Sequence, residues 1–147
     1  MKNVSYGNEN DLNLKLVIAL SRSIQHIRRG EGQNIQDAGL TLSQFAVLEA
    51  LYHKGDLRIC EIIEKTLSTG GNMTVVVNNL VKDGLVRRFK DPGDGRASRI
   101  SLTEKGEVLI ADLFPRHVES VQTLFERLES DEKRRLLDLL KKLTGKM

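Results

Sequence analysis

The sequence has no tryptophan, two prolines and one cysteine among 147 residues, and aromatics make up only 4% of it. Each scarcity excludes something. A single cysteine, Cys60, cannot build an intrachain disulfide framework and suits a reducing compartment. So few prolines leave long stretches free to be helical. No basic-then-apolar leader opens the chain, and its longest wholly apolar run, LVIAL at 16–20, is far too short to span a bilayer. A complete, cytoplasmic protein with no membrane partner is expected. Phosphate-binding glycine loops, nucleophile elbows and paired ligand motifs are missing, so no enzyme is expected. His26, His53 and His117 stand singly, without a His or Cys partner at i+3 or i+4, so neither a metal centre nor a cofactor is expected.

What is present suits one domain spanning 1–147, since 39% hydrophobic residues over this length can bury a core without metals or disulfides. The net charge of +3 is modest, but its placement is informative. Residues 82–105 hold seven of the 23 cations and four of the 20 acids, which leaves 16 of each sign elsewhere. The whole positive excess therefore lies in and around GLVRRFKDPGDGRASRISLTEKG (84–106). That stretch reads as two short strands, LVRRFK and SRISL, joined by a tip, DPGDGRA, rich in turn-forming residues. Arg87, Arg88, Lys90, Arg96 and Arg99 lie in or beside the tip, the composition of a hairpin that grips phosphates.

The elements around this hairpin follow from periodicity. Leu12, Leu16, Ala19, Leu20, Ile24 and Ile27 predict a helix over 11–29, broadened by Val17 and Ile18 into a surface wide enough for a partner subunit. Residues 30–40 read as loop. Thr41-Leu-Ser-Gln44 is a capping box opening a helix with Phe45, Leu48 and Leu51 inward, ended at Gly55. DLR at 56–58 is a brief extended piece. Helices over 59–67 and 73–83, separated by an STGGN turn at 68–72, make a helix-turn-helix candidate with Gly84 as the stop. With the basic hairpin directly behind it, this becomes a winged helix-turn-helix head over 41–102. A long helix from Thr103 to about Leu128, kinked at Pro115, and a last one from Ser130 to about Leu143 complete the chain. The predicted fold class is mainly α with a small β-hairpin wing.

Thr41-Leu-Ser-Gln-Phe-Ala-Val-Leu48, the run NMTVVVNNLVKDGLVRR (72–88), and Asp94-Gly-Arg96 leading to Ile100-Ser-Leu-Thr-Glu-Lys-Gly106 resemble the MarR family of bacterial transcription regulators. The dense likeness covers about 41–106. It implies a homodimer whose helices at 11–29 and 103–147 interlock while two heads read a pseudo-palindromic double-stranded operator. It also implies repression, released by a small phenolic or lipophilic effector or by cysteine oxidation. A winged-helix protein-interaction module without DNA binding is the other reading of this fold.

Arg96 is the expected minor-groove probe, with Asp94 orienting its guanidinium through a bidentate pair. Arg87, Arg88, Lys90 and Arg99 are candidate phosphate contacts, although strand alternation allows only one face to meet DNA. Asn72, Thr74, Val75, Asn78, Asn79 and Lys82 are the expected exposed positions of the recognition helix. Val75 stands where family members often carry a basic residue; its methyls suit a thymine methyl, and Asn78 or Asn79 suits adenine. Ser68 and Thr69 are candidate phosphate binders or helix caps. The resemblance places an effector pocket among Arg22, His26 and Phe45. Cys60 begins the first helix of the pair; redox-sensing relatives carry their cysteine near the N-terminus instead, so it is expected to be a buried or half-buried filler, with thiol sensing as the alternative.

Overall fold

The computed structural model describes residues 4–66 and 70–146. Its elements run α1 (Asn8–Asp37), α2 (Leu42–Lys54), β1 (Leu57–Arg58), α3 (Ile59–Thr66), α4 (Gly70–Lys82), β2 (Val86–Lys90), β3 (Ser98–Leu102), α5 (Glu104–Leu124) and α6 (Ser130–Leu143). The mainly helical class with a small antiparallel sheet is as the sequence predicts. Among the described residues no helix is long and apolar enough to cross a membrane.

The chain forms two compact units. Residues 32–119 are the head, and the described residues up to Glu31 join those from Ser120 onward in the other. In the head, Val47 and Leu48 of α2, Ile62 of α3, Met73, Val77 and Leu80 of α4, Ile100 of β3 and Ile110 and Leu113 of α5 are fully buried. Each comes from the inward stripe of its own helix or strand, so the amphipathic pattern translates directly into one core. The predicted capping box is formed: the Gln44 N–H donates to Thr41 Oγ1 (3.1 Å) and the Thr41 N–H donates to Gln44 Oε1 (3.0 Å).

Three predicted boundaries move. Residues 30–37 are helix, not loop, because α1 continues to Asp37. Gly30 and Gly32 suggest a break, but Ile35, 1% exposed, anchors this last part of the helix in the head's core. The stop comes at Gly39, whose φ of 76° lets its own N–H and that of Leu40 turn back onto the carbonyls of Gln36 and Ile35. Gly70, Gly71 and Asn72, expected in a turn, belong to α4. The helix after the wing ends at Leu124 rather than near Leu128, and it passes Pro115 without interruption.

In the other unit, α1 and α6 leave much apolar surface uncovered. Leu12, Leu14, Leu16, Val17, Ile18 and Ile24 of α1 are each about half exposed or more, as are Leu137, Leu139 and Leu143 of α6. No residue of α6 is buried. An apolar cleft there is lined by Val121, Phe125, Leu128, Leu136, Leu137 and Leu140.

Candidate nucleic-acid interface

The wing is a three-stranded antiparallel sheet in the order β1-β3-β2, one strand more than a hairpin. The extra strand is the DLR piece: Leu57 pairs with Ile100 and Arg58 with Arg99, while β2 pairs with β3 from Val86↔Leu102 to Lys90↔Ser98. Behind the sheet, the Leu102-Thr-Glu-Lys-Gly106 stretch locks wing to helix. Thr103 Oγ1 donates to the Gly84 carbonyl (2.6 Å) and accepts from the Gly106 N–H (3.1 Å), and Lys105 Nζ donates to the Asp83 carbonyl (2.9 Å). A Cβ at Gly106 would lie 2.0 Å from the Leu85 carbonyl oxygen, so only glycine permits this approach.

On α4, Met73, Val76, Val77 and Leu80 face the core, which turns Asn72, Thr74, Val75, Asn78, Asn79 and Lys82 outward. All six predicted recognition positions are exposed, Val75 at 55%. Asn78 Oδ1 accepts a hydrogen bond from Arg88 Nη2 (2.8 Å), which ties the helix to β2. Asn79 has no side-chain partner among the described residues, so both functions of its amide are open to a base edge. Ser68 and Thr69 lie outside the described residues.

The basic residues of the wing separate into distinct roles. Arg87 and Arg88, adjacent in β2, point to opposite faces of the sheet. Arg87 Nε donates to Ser101 Oγ (2.9 Å) and Arg88 is bound to Asn78, yet both side chains remain exposed. Arg99 is more firmly engaged: its Nε donates to Asp91 Oδ2 (2.8 Å) and its Nη1 to the Asp56 carbonyl (3.1 Å). It is thus first of all an internal strut, whatever part of its guanidinium is left for the candidate phosphate contact. Arg96 is the opposite case. Only its backbone is held, by Asp94 Oδ1 (3.0 Å), and its exposed guanidinium has no partner among the described residues. Asp94 therefore fixes the turn that carries Arg96 instead of pairing with its guanidinium, because a carboxylate two residues back reaches the amide first.

Sequence reasoning missed Asp91 and Arg58. Asp91 is 4% exposed and its carboxylate accepts from Arg58 Nε (2.7 Å), Arg99 Nε (2.8 Å) and the N–H groups of Gly93 (2.7 Å) and Asp94 (3.2 Å). The Arg58 hydrogen bond, helped by Gly93 and Arg99, holds this carboxyl well below the usual carboxylate range against the opposing effect of burial. The same pairing raises the Arg58 guanidinium above its ordinary value. Only the Asp-Pro-Gly turn composition hinted at Asp91, and nothing local linked it to a residue 33 positions earlier.

Arg22 and His26 are exposed on α1. Phe45 is 3% exposed in the head's core, its ring centroid 4.6 Å from that of His117. Cys60 is exposed on α3, not buried or half-buried, because the inward positions of that short helix are taken by Ile59, Ile62 and Ile63. Among the described residues no group of three or more His, Cys, Asp and Glu is placed to hold a metal ion.

Residues 38–97 match the family model of the MarR family. The chain is 37% identical over 130 residues to the HTH-type transcriptional regulator MhqR of Bacillus subtilis (strain 168), a match covering 88% of this chain and 90% of that one. Its fold is similar to that of Bordetella bronchiseptica BpsR, solved to explain how 6-hydroxynicotinic acid regulates that protein's DNA binding (27% identity, TM-score 0.80, 88% of this chain and 98% of that one). It is also similar in fold to a mutant of MarR from E. coli complexed with operator DNA (24% identity, TM-score 0.82, 93% and 99% covered).

Proposed function

The chain belongs to the MarR family of transcriptional regulators, and on that premise we propose that it is a cytoplasmic homodimer that represses transcription by binding a pseudo-palindromic double-stranded operator, and that a small ring-bearing ligand releases it. One observation carries the DNA-binding part. The exposed polar face of α4 and the free guanidinium of Arg96 belong to one head, joined through the Arg88–Asn78 bond. A helix face with amides and methyls suits base edges in a major groove, and a lone arginine at a turn tip suits the narrow, strongly negative minor groove. The exposed apolar faces of α1 and α6 supply the dimer surface, which a monomer would leave wet. The effector part rests on the resemblance, which implies a small phenolic or lipophilic molecule, and on the regulation of BpsR's DNA binding by 6-hydroxynicotinic acid. The regulators among its relatives give no support to an enzyme.

The test is a mobility shift with the intact protein on the DNA upstream of its own gene, at two salt concentrations. A specific complex that weakens at the higher salt is expected, because phosphate contacts release counterions. No specific complex at low salt would refute the reading. A second reading, control through thiol oxidation, has one observation in its favour: Cys60 is exposed on a helix of the DNA-binding pair. If it holds, a mild oxidant abolishes the complex for the wild type and spares it for Cys60→Ser.

A further inference from the structure

We propose that Asp91, clamped by Arg58 and Arg99, is a positioning residue that sets where the wing carries Arg96 and so governs minor-groove binding without touching DNA. This rests on the DNA-binding reading above.

The bonds around the tip form a continuous chain. Arg58 in β1 and Arg99 in β3 each donate Nε to the same oxygen, Asp91 Oδ2. The other oxygen, Oδ1, accepts from the N–H groups of Gly93 and Asp94, and so folds the first half of the tip over the carboxylate. Asp94 repeats the device one step further out, its Oδ1 accepting from the N–H of Arg96. The loop is closed at its base by Asp91 N–H to the Ala97 carbonyl (3.0 Å) and Ala97 N–H to the Asp94 carbonyl (3.0 Å). Two nested side-chain turns, the inner one buried, thus lead from the head to the backbone of the single arginine with a free guanidinium among the tip residues.

Charge explains why Asp91 governs the pose. Arg58 and Arg99 are direct cross-strand partners, an arrangement that like charges destabilise. Asp91 sits between them and turns repulsion into two short ion pairs of 2.7 and 2.8 Å. Without its negative charge the two arginines push β1 from β3 at the root of the wing, and the two tip N–H groups lose their acceptor. The tip then samples several poses, and a minor-groove contact that depends on one of them weakens.

The experiment is a double-mutant cycle by fluorescence anisotropy, using full-length protein and a duplex with the sequence upstream of its own gene. Asp91→Asn and Arg96→Ala are each expected to weaken binding about tenfold, and the double variant to bind no more weakly than Arg96→Ala alone. Hydroxyl-radical footprints should show Asp91→Asn losing protection at the wing's minor groove while keeping it along the α4 contact, a pattern that general instability does not produce. Arg58→Gln enters the same cycle, so the test stands should Asp91→Asn melt below the assay temperature. Losses that multiply to about a hundredfold in the double variant would overturn the proposal. So would wild-type affinity in Asp91→Asn and Arg58→Gln while Arg96→Ala is weakened. A wild type that binds no specific DNA would instead remove the underlying reading, and this inference with it.

Discussion

At the scale of single residues, burial and charge make Asp91 and Arg96 opposites. Asp91 is enclosed and saturated with donors, so its ionised form is favoured in the folded state. A carboxyl depressed on folding adds stability that is fully present above its unfolded value and is lost as pH falls through the folded one. Asp91→Asn is therefore expected to be less stable than the wild type at pH 7, with the gap narrowing once the pH drops below about 4. Urea denaturation across a pH series measures this, and a gap constant with pH would contradict it. Arg96, by contrast, contributes only a backbone bond to the fold. Arg96→Ala should leave the melting temperature unchanged while weakening operator binding by about tenfold or more, roughly 1.4 kcal/mol, as read by anisotropy. The sequence made Arg96 conspicuous, since glycines and aspartates mark its turn. It gave no sign of the Arg58–Asp91–Arg99 cluster, because ion pairs across 33 residues are made by the sheet register.

At the scale of elements, the junction between α4, the wing and α5 depends on backbone contact. Gly106→Ala would drive a methyl into the Leu85 carbonyl at 2.0 Å, where no flexible side chain can move aside. A loss of about 1–3 kcal/mol in urea denaturation is expected. Thr41→Ala removes one half of the capping box of α2 and should cost about 1 kcal/mol by the same measurement. Capping and periodicity placed α2 well, and the strong amphipathic stripe of α4 fixed its outward face. The extension of α1 through Gly30 and Gly32 was not legible, because helix propensity argues against it. Burial of Ile35, a tertiary contact, overrides that preference.

At the scale of the whole molecule, the exposed leucines of α6 are the consequential feature. Leu137 is 52% exposed, so replacing it does not open a cavity in the chain itself. Leu137→Glu should keep its helical content by circular dichroism yet sediment as a monomer, and its affinity for a two-half-site duplex should fall with dimerisation. A wild type that sediments as a monomer would remove the homodimer from the proposal.

The sequence by itself determined the class of the molecule. A basic hairpin holding the whole positive excess, set behind two short helices, makes a winged head because turn chemistry, caps and apolar periodicity are local properties. It also determined which face of α4 is wet, since a buried stripe of Met73, Val77 and Leu80 leaves no other choice. Only the tertiary structure decided how the basic residues share their work. Arg99 becomes a strut, Arg88 is tied to Asn78, and Arg96 stays free, because register and a buried carboxylate brought together groups that the chain keeps far apart. The exposure of Cys60 was decided in the same way, by three isoleucines occupying the inward side of a two-turn helix.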